Sequence, residues 1–139
     1  YLNKPYIVKS LNEPETNSVI LENTPTVVRK VISENTSNKV RYALESVVTN
    51  GTGRPAFIDG YRVGGKTGTA QTSSTKNDSL FIAYAPYDKP RIAIACIIEN
   101  GGMMGAGNKV VEVARKMLDS YFASGVSEEE NPDHNTLIQ

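Results

Sequence analysis

One short stretch constrains this chain more than any other, namely residues 60–71, which read GYRVGGKTGTAQ. It combines glycines with a lysine and two threonines, and so offers backbone freedom, a cation and hydroxyl donors within a few positions. This composition suits a strand or loop that approaches an anion closely. Two known motifs fit the stretch, and they imply different chemistry.

The first motif is the phosphate loop, because residues 60–67 match G-x-x-x-x-G-K-[ST] letter for letter. Residues 92–99 also fit a second feature of such proteins, an apolar strand that ends in an acidic residue. A phosphate loop, however, requires a helix that begins at its Lys-Thr pair, whose first amides hold the phosphates. Here Lys66 and Thr67 are followed by Gly68 and by β-branched and hydroxyl residues with no apolar stripe. No helix is predicted there, and a nucleotide hydrolase is the disfavoured interpretation.

Composition excludes several other classes of protein. The 139 residues carry 15 basic and 15 acidic side chains, so there is no basic field to recruit nucleic acid or an anionic membrane. No Cys/His/carboxylate cluster is evident, so neither a metal nor a cofactor is predicted. His134 lies in an acidic tail, and Cys96 is expected to be a small buried hydrophobe in a strand. The longest apolar run, residues 92–98, is too short to span a bilayer.

The first half of the chain is predicted to contain a peripheral hairpin and a helix. Residues 1–10 read as extended, residues 12–17 as a turn, and residues 19–21 as a returning strand. Residues 26–33 form an apolar connection whose structure the pattern does not define. A helix is expected over residues 33–49, capped by Ser33 or Ser37 and stopped by a left-handed Asn50-Gly51 pair.

The second half is predicted to contain three strands and a closing helix. The strands span residues 61–71, 80–85 and 91–99, and the last two form an antiparallel hairpin. The third strand is apolar on both faces, so we expect it to be covered on both. A helix over residues 108–122 should pack across the sheet through Val110, Val113, Ala114, Met117, Leu118 and Tyr121. The domain then spans residues 1–123, and residues 124–139 form an acidic, disordered tail.

The second motif is Lys66-Thr67-Gly68, since K-T-G accompanies S-x-x-K and S-D-N in class A β-lactamases and penicillin-binding proteins. Residues 47–53, 60–71, 81–86 and 98–102 resemble, in this order, the C-terminal half of the transpeptidase domain of class B penicillin-binding proteins. The resemblance extends over residues 1–122. It implies an α+β fold in which an antiparallel sheet is flanked by helices, as the C-terminal portion of a β-lactamase-like domain.

The resemblance also implies roles for four residues of the first long strand. Lys66 is expected to supply a positive charge beside two groups, the serine of the family's S-D-N motif and the terminal carboxylate of the substrate. The hydroxyls of Thr67 and Thr69 would hydrogen-bond that carboxylate, and the Thr69 N–H would be one oxyanion-hole donor. Gly68 would let a D-Ala-D-Ala peptide or a β-lactam lie against the backbone. The predicted catalytic residues are thus Lys66 and Thr69, and all four are predicted to bind substrate.

Strand alternation limits this assignment, because it puts Lys66 on the face opposite Thr67 and Thr69. All three can serve one cleft only if the strand lies at the edge of its sheet and is approached from the side. The simpler interpretation is a surface strand with an exposed lysine and two threonines that favour β structure.

The nucleophile implied by the family, a serine in S-x-x-K at a helix start, is not evident in this sequence. Ser73-Ser-Thr-Lys76 has that spelling but lies in a polar connector just after Lys66, and Ser33-Glu-Asn35 spells S-x-N but resembles a helix cap. Both are interpreted as coincidences. The chain is therefore interpreted as part of a serine-type D,D-transpeptidase that is inactive alone.

The expected partners are peptidoglycan stem peptides, β-lactams and the N-terminal half of the domain. The parent protein is expected at the extracytoplasmic face of a bacterial membrane, held there by an N-terminal anchor. A non-catalytic module that self-associates through the sheet remains the alternative.

Overall fold

The computed structural model describes residues 1–72, 76–101 and 106–124, with the side chains of residues 106 and 107 excepted. The chain divides into two compact units, Tyr1–Lys39 and Val40–Gln139. Each unit is described by itself.

The first unit contains two small antiparallel ribbons. Strand β1 (Leu2–Asn3) pairs with β4 (Val27–Arg29), and β2 (Ser10–Asn12) pairs with β3 (Val19–Glu22). Asn17 takes a φ of 55° in the turn that joins β2 to β3, a conformation that asparagine tolerates better than most residues. The predicted hairpin is confirmed as the β2–β3 pair, and the undefined connection at residues 26–33 contains β4.

Helix α1 (Glu34–Thr49) begins where the sequence indicates and ends differently. The Ser33 hydroxyl accepts a hydrogen bond from the Thr36 N–H at 3.1 Å, which confirms Ser33 as the cap. The predicted left-handed stop is wrong, because neither Asn50 nor Gly51 has a positive φ. Instead, the N–H groups of Gly51 and Gly53 both donate to the Val47 carbonyl, at 3.1 and 2.9 Å. These two hydrogen bonds satisfy a carbonyl at the C-terminus of α1 without a residue in the left-handed conformation.

The second unit is organised around an antiparallel sheet in the order β5-β6-β7. Its strands are β5 (Gly64–Gln71), β6 (Asn77–Ala85) and β7 (Ile92–Ile98), so the predicted hairpin of the last two is confirmed. The first strand begins three residues later than predicted. The chain reverses at Gly60, whose φ is +85°, and Tyr61 forms an isolated bridge with Ile58 before β5 starts.

Helix α2 (Ala106–Ala123) packs against β6 and β7, as expected. A short 3₁₀ helix, Arg54–Ala56, lies against it as well. The buried face of α2 is rotated from the predicted one, because Val111 is fully buried whereas Val113 and Met117 are exposed. The core is formed by side chains from α1, the following loop, the sheet and α2: Val48, Ala56, Ile58, Val63, Phe81, Ala83, Ala85, Val110, Val111, Ala114 and Leu118. Neither described helix has the length and apolar content needed to cross a bilayer.

The expectation that β7 is covered on both faces is wrong for this chain. Ile94 and Cys96 face the core, whereas Ala93, Ala95 and Ile97 are exposed, because α2 covers only one side of the strand. The expectation of a buried cysteine is also wrong. Cys96 is half-buried, its sulfur lies 3.7 Å from that of Met117, and burial raises the pKa of its thiol.

Candidate active site

All four residues predicted to form the site lie in β5, which is an edge strand. Within residues 1–72, 76–101 and 106–124, its ladder partner is β6 alone. Lys66, Gly68 and Thr69 are exposed, and Thr67 is half-buried. The condition set by the sequence, an extended segment open along one side, is therefore confirmed. A phosphate loop is excluded, because Thr67 lies within the strand and no helix begins there.

The hydrogen-bond register determines which main-chain groups of β5 point outward. Just past the ladder, the Thr72 N–H donates to the Lys76 carbonyl at 3.0 Å, so these two form a hydrogen-bonded pair. Such pairs alternate along an antiparallel ladder, and therefore Gly68 also directs its N–H and C=O at β6. Thr67 and Thr69 alternate with these hydrogen-bonded positions, so their N–H and C=O groups point away from β6. The outer edge of β5 thus presents main-chain donors and acceptors of these threonines that no strand of the described residues pairs with.

The Lys66 side chain reaches this same edge from the opposite face of the sheet. Lys66 pairs with Ile82 and Thr67 with Phe81, so strand alternation does place the two side chains on opposite faces. Nevertheless, the Lys66 ammonium donates to the Thr67 carbonyl at 2.6 Å. The long stem carries the charge around the backbone, so the cation and the outward groups of Thr67 lie together.

On the other side of the strand, the threonine hydroxyls border a small cavity. The Thr67 Oγ1 lies 2.8 Å from the Thr52 Oγ1, and either atom can be the donor. The cavity has a volume of about 240 Å³ and is lined by Thr52, Thr67, Gly68, Thr69, Leu80, Asn108 and Val110. Three hydroxyls and one amide give it neutral hydrogen-bonding groups of a kind that an anion can use.

Sequence reasoning assigned no role to Thr52 or Asn108. Thr52 lies within residues 47–53, which contributed to the family resemblance. This resemblance was the one sequence feature that could have pointed to Thr52 as a site residue. Asn108 showed no signal beyond its place at the predicted start of α2. Their proximity to Thr67 and Thr69 depends on tertiary structure.

A charged network fixes the segment that leads into β5. Arg62 binds both carboxylate oxygens of Glu45, at 2.6 and 2.8 Å, and an oxygen of Asp88 at 2.8 Å. Its guanidinium carbon also lies 4.2 Å from the ring centroid of Tyr87, and the guanidinium carbon of Arg41 lies 4.8 Å from the same centroid. Hydrogen bonding to Arg62 holds the pKa of Glu45 below its ordinary value, and the same bond raises the pKa of Arg62. The network ties the entry of β5 to α1 and to the β6–β7 turn.

An open edge strand bearing Lys-Thr-Gly-Thr beside a helix-covered antiparallel sheet is the arrangement expected of a penicillin-binding transpeptidase domain, and comparison with known proteins agrees. The sequence model for the penicillin binding protein transpeptidase domain matches residues 1–119. The chain belongs to this family.

Individual relatives are consistent with that assignment. Stage V sporulation protein D of Bacillus subtilis is 42% identical over 136 residues, which cover 91% of this chain and 21% of the relative. Peptidoglycan D,D-transpeptidase MrdA of Haemophilus influenzae is 32% identical over 160 residues, covering 99% of this chain and 23% of the relative. The chain thus spans about a fifth of the length of the curated relatives it matches.

The fold is also similar to solved structures. The D,D-transpeptidase domain of a peptidoglycan glycosyltransferase from Eggerthella lenta has a TM-score of 0.68 and 34% identity, covering 86% of this chain and 28% of that one. The predicted family, with its class B relatives, and the α+β fold are confirmed.

The roles of Lys66, Thr67, Gly68 and Thr69 stay predictions, as does the domain boundary at residue 123. Residues 73–75 of the S-x-x-K spelling and residues 125–139 of the tail lie outside the described residues.

Proposed function

We propose that this chain forms one wall of the active site in a longer serine-type D,D-transpeptidase that cross-links peptidoglycan stem peptides. The observation that carries the proposal is the outer edge of β5. There the outward main-chain groups of Thr67 and Thr69 and the ammonium of Lys66 lie at the same edge of the strand. An edge of this kind recognises an extended peptide by strand addition.

A stem peptide ending in D-Ala-D-Ala binds antiparallel or parallel to β5 through these main-chain groups. Its terminal carboxylate is attracted by Lys66 and accepts hydrogen bonds from the hydroxyls of Thr67 and Thr69. The Thr69 N–H donates to the carbonyl oxygen of the scissile bond, where negative charge develops. One such oxyanion donor contributes about 3–4 kcal/mol to acyl transfer. Gly68 leaves the backbone between the two threonines open to close approach.

The reaction proceeds by covalent catalysis with a serine from outside this chain. The serine oxygen attacks the carbonyl carbon of the penultimate D-Ala, the C–N bond breaks, and the terminal D-Ala leaves with the proton that the serine has given up. An amine of a neighbouring stem peptide then attacks the resulting ester, and the serine recovers a proton as the new amide forms. This chain contributes positioning and charge stabilisation to both steps.

β-Lactams bind the same edge and acylate the same serine. In support, penicillin-binding protein A from M. tuberculosis, whose structure is that of an imipenem acyl-enzyme complex, has a TM-score of 0.66 and 26% identity to this chain. We place the whole protein at the extracytoplasmic face of a bacterial membrane, where its substrate lies, with an N-terminal anchor. Its nearest partner is the remaining part of the transpeptidase domain.

Covalent labelling with a fluorescent penicillin tests the proposal. The complete polypeptide that contains this chain should show a labelled band that unlabelled penicillin blocks, and Lys66→Met should weaken the band strongly. Lys116→Met, at an exposed position of α2, is the matched control and should label normally. An unlabelled complete polypeptide would refute the function. Labelling of the isolated 139-residue chain would instead refute its inactivity and reveal a competent serine within it.

A further inference from the structure

We propose that Thr52 is a positioning residue for this reaction, whose hydroxyl turns the Thr67 hydroxyl towards the substrate's carboxylate. The inference rests on the proposed function, and it assigns a role to a residue outside the Lys-Thr-Gly strand. It begins from the 2.8 Å contact between the Oγ1 atoms of Thr52 and Thr67.

The two hydroxyls can share their protons in two ways. Each hydroxyl has one hydrogen to donate and lone pairs that accept. If Thr67 donates to Thr52, it offers only lone pairs to the cavity and repels an anion. If Thr52 donates to Thr67, the Thr67 proton is free for a carboxylate, which can only accept. The second arrangement gives a continuous chain from hydroxyl to hydroxyl to carboxylate, in which each hydrogen bond strengthens the next.

The fold holds Thr52 at this distance by contacts on both sides of it. The Gly53 N–H donates to the Val47 carbonyl at 2.9 Å, which fastens the loop to the end of α1. A Cβ at Gly53 would lie 3.0 Å from Val47 Cγ1 and 3.3 Å from Phe81 Cε2, so a glycine lets the loop settle on that ring. Phe81 is fully buried and is the cross-strand partner of Thr67. One ring therefore fixes both the loop of Thr52 and the strand of Thr67.

The hydrogen bond between the Thr52 and Thr67 hydroxyls is expected to contribute little to the stability of the fold. Thr52 is exposed and Thr67 is half-buried, so water can satisfy either hydroxyl if the other is removed. A hydrogen bond that water can replace contributes little to the free energy of unfolding. Its position points to a role in substrate binding, because Thr52, Thr67 and Thr69 line the same cavity of about 240 Å³. Thr52 extends the row of hydroxyls on which the carboxylate is proposed to bind.

The experiment compares acylation of the complete polypeptide by benzylpenicillin and by its methyl ester, which lacks the carboxylate charge. The variants are Thr52→Val, which removes the hydroxyl at nearly constant shape, and Thr52→Ser, which keeps it. Thr49→Val is the matched control, because the Thr49 hydroxyl bonds to the Glu45 carbonyl at 3.2 Å within α1. The ratio of the two acylation rates within one variant does not depend on the fraction of protein that is folded.

We expect Thr52→Val to lower the rate with benzylpenicillin about tenfold, the worth of one hydrogen bond, and to leave the slow reaction of the ester unchanged. Thr52→Ser should restore the wild-type ratio, and Thr49→Val should not change it. Equal losses with both compounds would show a merely structural role, and an unchanged ratio in Thr52→Val would also overturn the inference. A wild-type protein that neither compound acylates would refute the proposed function itself.

Discussion

The ring of Tyr84 lies directly over the backbone of Gly64, its cross-strand partner at the start of β5. A Cβ built at Gly64 would fall 2.5 Å from Cζ and 2.7 Å from the hydroxyl oxygen of Tyr84. Burial under this arrangement raises the pKa of the Tyr84 hydroxyl. Two residues earlier, Arg62 is held by Glu45 and Asp88. The strand that carries Lys66 and Thr69 is thus fixed at its beginning by a ring and by a charged network.

Gly64→Ala is expected to destabilise the 139-residue chain, because its methyl group cannot fit beneath the Tyr84 ring without displacing it. Overpacking of this kind costs about 1–3 kcal/mol. Denaturant unfolding measures the change. In the Tyr84→Leu background, where the ring is absent, the same Gly64→Ala change should cost much less. Unchanged stability in the single variant would contradict the close approach described above.

Gly68→Ala should have the opposite profile, with stability retained and acylation impaired. A Cβ at Gly68 would meet only Leu80 Cβ, at an ordinary contact distance of 3.5 Å. We therefore expect the free energy of unfolding to change by less than about 0.5 kcal/mol. The added methyl group nevertheless lies on the residue between Thr67 and Thr69, where the proposed substrate has to approach the strand closely. Penicillin acylation of the complete polypeptide should fall about tenfold, and a normal rate would argue against strand addition at this edge.

The sequence was sufficient to predict the elements whose signals are local. Ser33 caps α1 because serine at that position satisfies a free N–H, a property of a few neighbouring residues. The apolar runs of β6 and β7 and the turn residues between them likewise indicate a hairpin. The Lys66-Thr67-Gly68-Thr69 strand was recognised by resemblance, and the absence of a helical stripe after Thr67 was enough to reject the phosphate loop.

The features that sequence reasoning missed depend on residues far apart in the chain. Arg62 meets Glu45 across 17 positions and Asp88 across 26, so no helical or strand period relates them. Thr52 and Thr67 are 15 positions apart and meet because Phe81 packs beneath both segments. The third strand was correctly read as apolar on both faces, but the described residues supply a helix for only one of them.

The Glu45–Arg62 pair predicts a pH-dependent contribution to stability. The hydrogen bond from Arg62 lowers the pKa of Glu45 below its ordinary value of 4.5, so the unfolded chain binds a proton more readily than the folded one. The contribution is therefore complete above the unfolded pKa and is lost as the pH falls through the folded pKa. In thermal melts of the 139-residue chain, Glu45→Gln should lower the melting temperature most near neutral pH. The difference in melting temperature between Glu45→Gln and wild type should become smaller below about pH 4.

Glu112→Gln provides the control for this measurement, because Glu112 is an exposed carboxylate of α2 with no ion pair in the described part of the chain. Its melting temperature should follow that of wild type at every pH. A Glu45→Gln difference that stays constant down to pH 3 would mean that the contact with Arg62 does not depend on the charge of Glu45.

The open face of the sheet predicts that one substitution will have different effects in the fragment and in the complete protein. Ile82 and Ile97 are 54% and 57% exposed on the face opposite α2. Because this chain covers only 28% of the similar Eggerthella lenta domain, we expect the rest of the domain to cover these side chains in the complete polypeptide. There, Ile97→Lys would bury an unpaired ammonium, at a cost of several kcal/mol (about 3–5). In the 139-residue chain the same lysine remains in water and should change stability by less than about 0.5 kcal/mol.

Denaturant unfolding of wild type and Ile97→Lys in both contexts, together with sedimentation of the 139-residue chain, distinguishes the possible occupants of this face. A large loss confined to the complete polypeptide identifies the rest of the domain as the cover, since only burial makes the charge costly. If instead the 139-residue chain is a dimer that Ile97→Lys dissociates while the complete polypeptide is unaffected, a second copy covers the face. That outcome would favour a self-associating module, because monomeric soluble proteins rarely expose contiguous apolar patches and those that are exposed often mark interaction sites.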